Sequence, residues 1–500
     1  MTPLIIIAAY LLLLFVLGQL SARFFRGTAS DFFVASRSIG PFLLLMSVFG
    51  TTMTAFAMVG STGEAYRVGI GTYGKMASWS GLIHSACFFF VGLPLWALGK
   101  RHGYTTQIEY FRDRFESRAI GYILFPILVG LVIPYLLVGL LGAGSLLKAV
   151  TVGALPGLFP DTKGAIPPAL TSAVISFVVL TYVARGGVRS AAWANTFQTL
   201  VFIAMGLIAF VMISARLGGP AAAAEMADPA KTVREGQISQ LLFFSYCFIP
   251  LSVGMFPHLF QHWLTAKSAR TFSLTIIVHP LCIMLTWVPC ILIGVWATGA
   301  VLDGRPVVPA GINPNAVLGI MVGKLTNPLV AGFVSAGVLA AIMSSLDSQF
   351  VCIGTMFTRD VVIHACGTER FSDRQTVWIA RGFIFVIVLV TFLLSLSNPV
   401  QIFSLGVWCF SGFAALFPVV FAALYWRRTT RAGAISAIVV TAVVWFFLFR
   451  ASGYGADRGF LVFGAMPVAF VFGACAISLI VVSLFTAPPS EGTVRRFFRD

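Results

Sequence analysis

Ser344, Ser345, Asp347, Ser348 and Gln349 put five polar side chains into six consecutive positions of an apolar stretch running from about Leu329 to Phe357. Uncompensated polar groups in hydrocarbon each cost several kcal/mol, so these side chains must line a binding site or a path. Successive residues on a helix are about 100° apart. Ser344 and Ser345 therefore can face one cavity with two neutral oxygens. Neutral oxygens suit a hard monovalent cation such as Na+, whereas a cage of carboxylates suits Ca2+ and thiolates suit softer metals. Asp347 reads as the one carboxylate deep in a span. It is placed to tune such a cation site or to take a proton; the competing reading is an acid beside a cation or an aqueous vestibule.

The segments that must hold these residues are apolar along the whole chain. The 500 residues are 58% hydrophobic and 10% charged, with mean hydropathy +0.95. Thirteen stretches suffice to cross a bilayer: 3–21, 41–64, 72–98, 120–147, 168–184, 191–214, 240–263, 272–298, 328–357, 376–397, 400–425, 432–449 and 461–486. No polar stretch is long enough for a separate soluble domain. The cysteines are mostly scattered singly in apolar segments without a CxxC pair, and read as small packing residues.

The net charge of +16 is a topology signal and not a nucleic-acid footprint. Alternate loops carry most of the Lys and Arg, among them Arg23, Arg26, Arg37, Lys100, Arg112, Arg359, Arg427 and Arg499. The bias orients the chain with its N-terminus outside and its C-terminus inside. The first apolar segment has no basic residue before it and reads as a retained helix, not a signal peptide. No N-x-S/T sequon occurs, which favours a bacterial inner membrane.

Two spans are interrupted alike. The second carries Gly50-Thr51-Thr52-Met53-Thr54 at mid-depth, and the seventh carries Pro250, Gly254 and Pro257. Pro removes a helix hydrogen bond and Gly loosens a turn. Five spans separate the breaks, so the two segments cross in opposite directions, as in an inverted repeat of five helices plus five. Broken helices at matching positions point to a transporter's binding site. Phe49, Thr51, Thr52, Thr54, Tyr246 and Ser252 lie on or beside the broken backbone and are the candidates for contact with a solute.

With these segments in hand, the chain resembles the sodium:solute symporter family. The resemblance rests on Ser36-Arg37-Ser38-Ile39-Gly40, Gly63-Glu64-Ala65-Tyr66-Arg67, His102-Gly103-Tyr104-Thr105-Thr106, Gly186-Gly187-Val188-Arg189, Phe256-Pro257-His258-Leu259-Phe260-Gln261, Arg359-Asp360 and Tyr425-Trp426-Arg427-Arg428, in that order. It implies an all-α polytopic membrane protein of the LeuT type. The first repeat would cover 41–214 and the second 240–426, with one extra helix at 3–21 and two at 432–486. It also implies a sodium site made of the backbone carbonyls of Gly50, Met53 and Ala341 and the hydroxyls of Ser344 and Ser345.

The chain departs from individual branches. Thr52 stands where proline carriers have Asp, His262 stands where many members have Arg, and the region Leu128 to Gly142 lacks the Arg used by sialic acid carriers. The function expected is Na+-driven uptake of a small organic solute such as a monocarboxylate or an amino acid, with sodium, solute and lipid bilayer as partners and no nucleic acid. A proton-coupled carrier using Asp347 or His258, and a solute sensor of the same fold, are the alternatives. A membrane enzyme is disfavoured, since no cluster of His, Asp and Glu occurs at a span edge. Glu64 reads as ordinary surface at a span end, and Arg381 as a side chain snorkelling to the interface.

Overall fold

The computed structural model describes residues 1–21, 25, 27–367, 370–397 and 401–498. Arg23, Arg26 and Arg499, counted above as inward charges, lie outside the described residues. Every apolar stretch must satisfy its backbone internally in lipid, which selects helices. Among the described residues, ten helices are long and apolar enough to cross a bilayer, and two bent pairs raise the number to as many as twelve.

The chain begins with α1 (Thr2–Ser21) and a short α2 (Ala29–Val34). The first bent pair is α3 (Pro41–Thr52) and α4 (Phe56–Val68), meeting at 58°. Next come α5 (Gly71–His102), α6 (Gln107–Arg114), α7 (Arg118–Val150) and α8 (Pro168–Arg216). The second bent pair, α9 (Gln240–Gly254) and α10 (Pro257–Leu264), meets at 49°. It is followed by α11 (Thr271–Trp296), α12 (Pro328–Cys366), α13 (Asp373–Ser395), α14 (Ile402–Tyr425), α15 (Arg431–Ala451) and α16 (Pro467–Phe485). A last short helix, α17 (Glu491–Phe497), folds back onto α5 and α6. Its Phe497 ring sits 5.5 Å from His102 and 6.0 Å from Tyr110. Hydroxyls of Thr493 and Ser490 hold the Glu116 carboxyl below the usual carboxylate range.

α12 is the innermost helix, with 83% of its apolar window buried. α3, α7 and α8 pack around it, and α1 lies across α8 and α12. Its serines therefore face protein, not lipid.

At 49 residues, α8 is about 73 Å long at 1.5 Å per residue, more than twice the hydrocarbon thickness. It is broken at Gly187, where φ is 57° and ψ −149°. A Cβ there would meet the Phe32 carbonyl oxygen at 2.4 Å. Both facts explain why position 187 is Gly. The Arg381 guanidinium donates to the carbonyls of Ala184 and Arg185 just before this break and lies over the Trp378 ring. It caps a helix end and does more than snorkel. Gly187→Ala is expected to cost about 2 kcal/mol or more, measured as a fall in Tm of the purified protein.

Several of the short motifs prove to be ties between elements. The Ile39 amide donates to the Thr265 carbonyl at 3.0 Å, and the Lys267 amide donates to Ile39 at 3.0 Å. This joins the start of one bent pair to the end of the other. Arg37 donates to the Tyr104 carbonyl at 2.6 Å, and Arg189 pairs with buried Asp31 at 2.6 Å.

Candidate functional site

The break in α3 frees carbonyls. Met53 has extended backbone (φ −90°, ψ 101°), so the last turn cannot complete its hydrogen bonds. Its own amide still donates to Phe49 at 3.1 Å. α12 supplies the missing donors. Ser344 Oγ lies 2.8 Å from the Gly50 carbonyl and 2.9 Å from the Ala341 carbonyl. Ser345 Oγ lies 3.1 Å from the Thr51 carbonyl and accepts from Gln349 Nε2 at 2.8 Å. All of these residues are buried. A hydroxyl cannot donate to two carbonyls at once, so Ser344 sits among more oxygens than its one proton can serve. Gly50 allows the approach of α8, for a Cβ there would meet Thr199 Oγ1 at 2.3 Å.

Beside this cluster runs a buried polar chain that joins four helices. Ser47 Oγ and Ser348 Oγ each lie 2.9 Å from a ring nitrogen of His262. With its amide turned to match its neighbours, Asn195 accepts from Ser348 at 2.9 Å and donates to Asp347 Oδ1 at 2.9 Å and to the Ser344 carbonyl at 3.1 Å. Tyr182 OH donates to Asp347 Oδ2 at 3.0 Å. One tautomer satisfies the series: Ser47 donates to Nδ1, and Nε2–H donates to Ser348, which donates to Asn195. Asp347 is thus held by neutral donors one turn from Ser344, and no salt bridge to it occurs among the described residues.

The six solute candidates divide. Thr51 Oγ1 is buried without a hydrogen-bond partner among the described residues, next to the serines. Thr52 Oγ1 donates to the Phe49 carbonyl at 2.8 Å, and Thr54 Oγ1 accepts from the Phe56 amide at 3.0 Å; both complete the broken backbone. The Phe49 ring packs between Phe202 and His279, at 5.6 and 5.5 Å. Ser252 is buried inside the 3-10 turns of α9. Tyr246 stands apart and lines a cavity of about 240 Å³ with Glu64, Lys75, Gln401, Phe403 and Trp408. His258 is buried with both ring nitrogens unpartnered among the described residues, between Tyr135 and Phe256.

Three residues differ from their sequence reading. Glu64 is not surface: it is 3% exposed, with Lys75 Nζ at 2.5 Å and Arg67 at 3.0 Å. Asp347 is not alone, because α12 continues to Cys366 and buries Asp360 as well. Asp360 pairs with Arg112 at 2.6 Å and accepts from Thr106 at 3.0 Å. The preceding residue, Arg359, pairs with Glu109, one turn before Arg112 on α6, at 3.0 Å. These two pairs fasten α6 to α12 at the end opposite the Glu64 cavity. Arg381 caps α8, as described above. Sequence reasoning also missed Asn195 and Tyr182; a polar residue in an otherwise apolar span was the available signal for each.

Residues 32–441 match the sequence profile described as the sodium:solute symporter family. The chain belongs to that family. It is therefore a sodium-coupled solute symporter, a multi-pass membrane transporter and not an enzyme. It is 26% identical over 495 residues to the sodium/proline symporter of Escherichia coli (strain K12), covering 93% of this chain and 90% of the relative. It is 25% identical over 522 residues to the sodium/proline symporter of Staphylococcus aureus (strain NCTC 8325 / PS 47), covering 97% and 93%. Among solved structures, a Na+-coupled sialic acid symporter in a substrate-bound outward-open state superposes with TM-score 0.79 at 19% identity, over 98% of this chain and 99% of that one. A nucleobase-cation-symport-1 family transporter in a closed conformation superposes with TM-score 0.53 at 15% identity, over 93% and 97%. The LeuT-type fold expected from the sequence is thus borne out.

Proposed function

We propose that this symporter takes up a small organic acid, a monocarboxylate or an amino acid, across the plasma membrane of a bacterium. Na+ binds among the carbonyls of Gly50, Met53 and Ala341 and the hydroxyls of Ser344 and Ser345. The observation that carries this reading is the cluster of Ser344 Oγ with the Gly50 and Ala341 carbonyls, within 2.9 Å. When Na+ enters, the hydroxyls turn their lone pairs to the ion and their protons away, and the cation satisfies the carbonyls that the break left over.

Na+ thereby draws the two halves of the first bent span onto α12. Because it prefers this arrangement, it shifts the conformational population. The solute then binds near the free Thr51 hydroxyl, with Phe49, Thr52, Thr54 and Ser252 shaping the broken backbone around it and Tyr246 lining the cavity on its way in. Proline or sialic acid, the solutes of the similar carriers, are less favoured here than a simple acid, because this chain lacks the Asp and the Arg noted above.

The topology belongs to the same reading. Dividing α8 at Gly187 and counting each bent pair once brings the spans to thirteen, with the N-terminus outside and the C-terminus inside. The repeats are 41–214 and 240–426, so the bent pairs, α5 with α11, and α7 with α12 are equivalents of opposite sense. The Glu64 cavity then faces outward, and the Arg112–Asp360 and Arg359–Glu109 pairs close the inward side.

Asp347, one turn from Ser344, supplies negative charge that favours Na+. Asp347→Asn should raise the Na+ concentration for half-maximal uptake about tenfold, which corresponds to about 1.4 kcal/mol, at unchanged expression. An unchanged requirement assigns Asp347 to packing. The whole reading is tested by uptake of labelled acids into proteoliposomes under an inward Na+ gradient, against choline. Accumulation only with Na+ supports it; accumulation driven by a pH gradient in choline sinks it.

A further inference from the structure

Lys75 is an unusual residue for its position. It lies at the start of a membrane-spanning helix, 4% exposed, with its ammonium beside the cavity of about 240 Å³. Its counter-ion, Glu64, is already served: Arg67 Nε and Nη2 reach Oε2 and Oε1 of that carboxylate at 3.0 Å each. Lys75 adds a second cation to one of those oxygens at 2.5 Å. The trio carries one positive charge in excess. Arg67 is partly solvated, with its side chain 37% exposed, but Lys75 and Glu64 are buried; an ion removed from water is costly unless matched, so the surplus at Lys75 favours an anion. Asp457 and Arg458, which also line the cavity, cancel each other and leave the excess in place.

The walls say what kind of anion. The Lys75 ammonium is 5.8 Å from the centre of the Tyr246 ring and 5.2 Å from that of Phe403, and Trp408 closes a further side. Rings of this kind bury an apolar body well and hold the cation in place between partners. A cavity of this volume is much larger than a halide needs.

We infer that this cavity is an outer docking site, which the transported solute occupies before it moves on to Thr51: Lys75 takes the carboxylate, Glu64 stays with Arg67, and the aromatic rings hold an apolar body. The inference rests on the uptake reading above and narrows its substrate class to acids with an apolar end. Glu64 is then a competitor that keeps Lys75 occupied until the acid arrives.

The test is the melting temperature of the purified full-length protein in NaCl at pH 7, with butyrate and benzoate against butyramide and benzamide. The acids should raise it and the amides should not. Lys75→Gln should weaken the acid effect at least tenfold, Lys75→Arg should keep part of it, and Glu64→Gln should strengthen it severalfold by freeing the ammonium. A purely structural pair would instead lower the baseline in both Lys75→Gln and Glu64→Gln and leave acid and amide as different, or as alike, as before. If Lys75→Gln does not fold, the opposite directions expected for Lys75→Arg and Glu64→Gln still decide. Equal shifts from acids and amides, no shift from either acid, or an acid shift that survives loss of Lys75 would overturn the site. Repeating the series in choline separates the two readings. An acid shift that needs Lys75 but not Na+ counts against the sodium coupling alone. One that needs Na+ but not Lys75 counts against the cavity alone.

Discussion

Replacing Ser344 and Ser345 together with Ala is expected to lower apparent Na+ affinity at least a hundredfold and to abolish Na+-dependent uptake. In the proposed site each hydroxyl is one of five oxygens, and a tenfold loss per ligand, about 1.4 kcal/mol each, is a modest estimate for a buried ion. The same substitutions remove the donors to the Gly50 and Thr51 carbonyls. Each carbonyl left unsatisfied in the interior costs about 1–3 kcal/mol. The variant should therefore melt lower than wild type even in choline, and this baseline must be measured first. The diagnostic quantity is the gain on exchanging choline for Na+. Wild type at a hundred times its Kd gains about 2.7 kcal/mol; the double variant, at least a hundredfold weaker, should gain no more than about 0.4 kcal/mol at the same Na+ concentration. A variant that is destabilised in choline and still gains as much in Na+ as wild type would make these serines helix caps only.

Arg112→Ala should give the largest loss of stability, about 3–5 kcal/mol. Asp360 is 1% exposed and Arg112 approaches it at 2.6 Å. Without the guanidinium, a carboxylate at the end of α12 stays buried, with the Thr106 hydroxyl as its nearest donor. The expected readout is a sharp fall in membrane yield and Tm. Asp360→Asn in the same background should restore much of it, because the uncompensated charge is then gone. Failure of the second change to help would mean that Arg112 acts through packing against Gly121, not through charge. The pair fastens α6 to the helix that carries Ser344.

The parts of this molecule that show in the sequence are those written within one segment. Gly50 with its three threonines, and Pro250 with Pro257, announce breaks because Gly and Pro act on their own turn. Ser344 and Ser345 announce a polar face because hydrocarbon would not tolerate them. In the sequence only family resemblance joins the serines to the broken helix, whereas in the structure Ser344 and Ser345 hydrogen-bond directly to the Gly50 and Thr51 carbonyls. What stayed hidden depends on two or more segments meeting. Glu64 looks like a span-end acid until the bend in the first pair and the start of α5 bring Lys75 to it. His262 looks like a simple exchange for Arg until Ser47 and Ser348 arrive from two other helices. Asp360 looks like an interfacial acid because the apolar pattern stops near Phe357, whereas the helix runs on to Cys366 and α6 covers it. Gly187 lies between two charged residues that suggest a loop, yet the backbone turns there within a nearly continuous helix.

The most direct test of the central claim is 22Na+ entry into proteoliposomes, for wild type and for the Ser344→Ala/Ser345→Ala protein, with and without an organic acid outside. Wild type should show entry that the acid stimulates, and the double variant, confirmed as folded by its melting curve in choline, should show neither entry nor stimulation. Acid-stimulated 22Na+ entry of equal size in both proteins would contradict the claim that these two hydroxyls, with the carbonyls of the broken helix, hold the coupling ion.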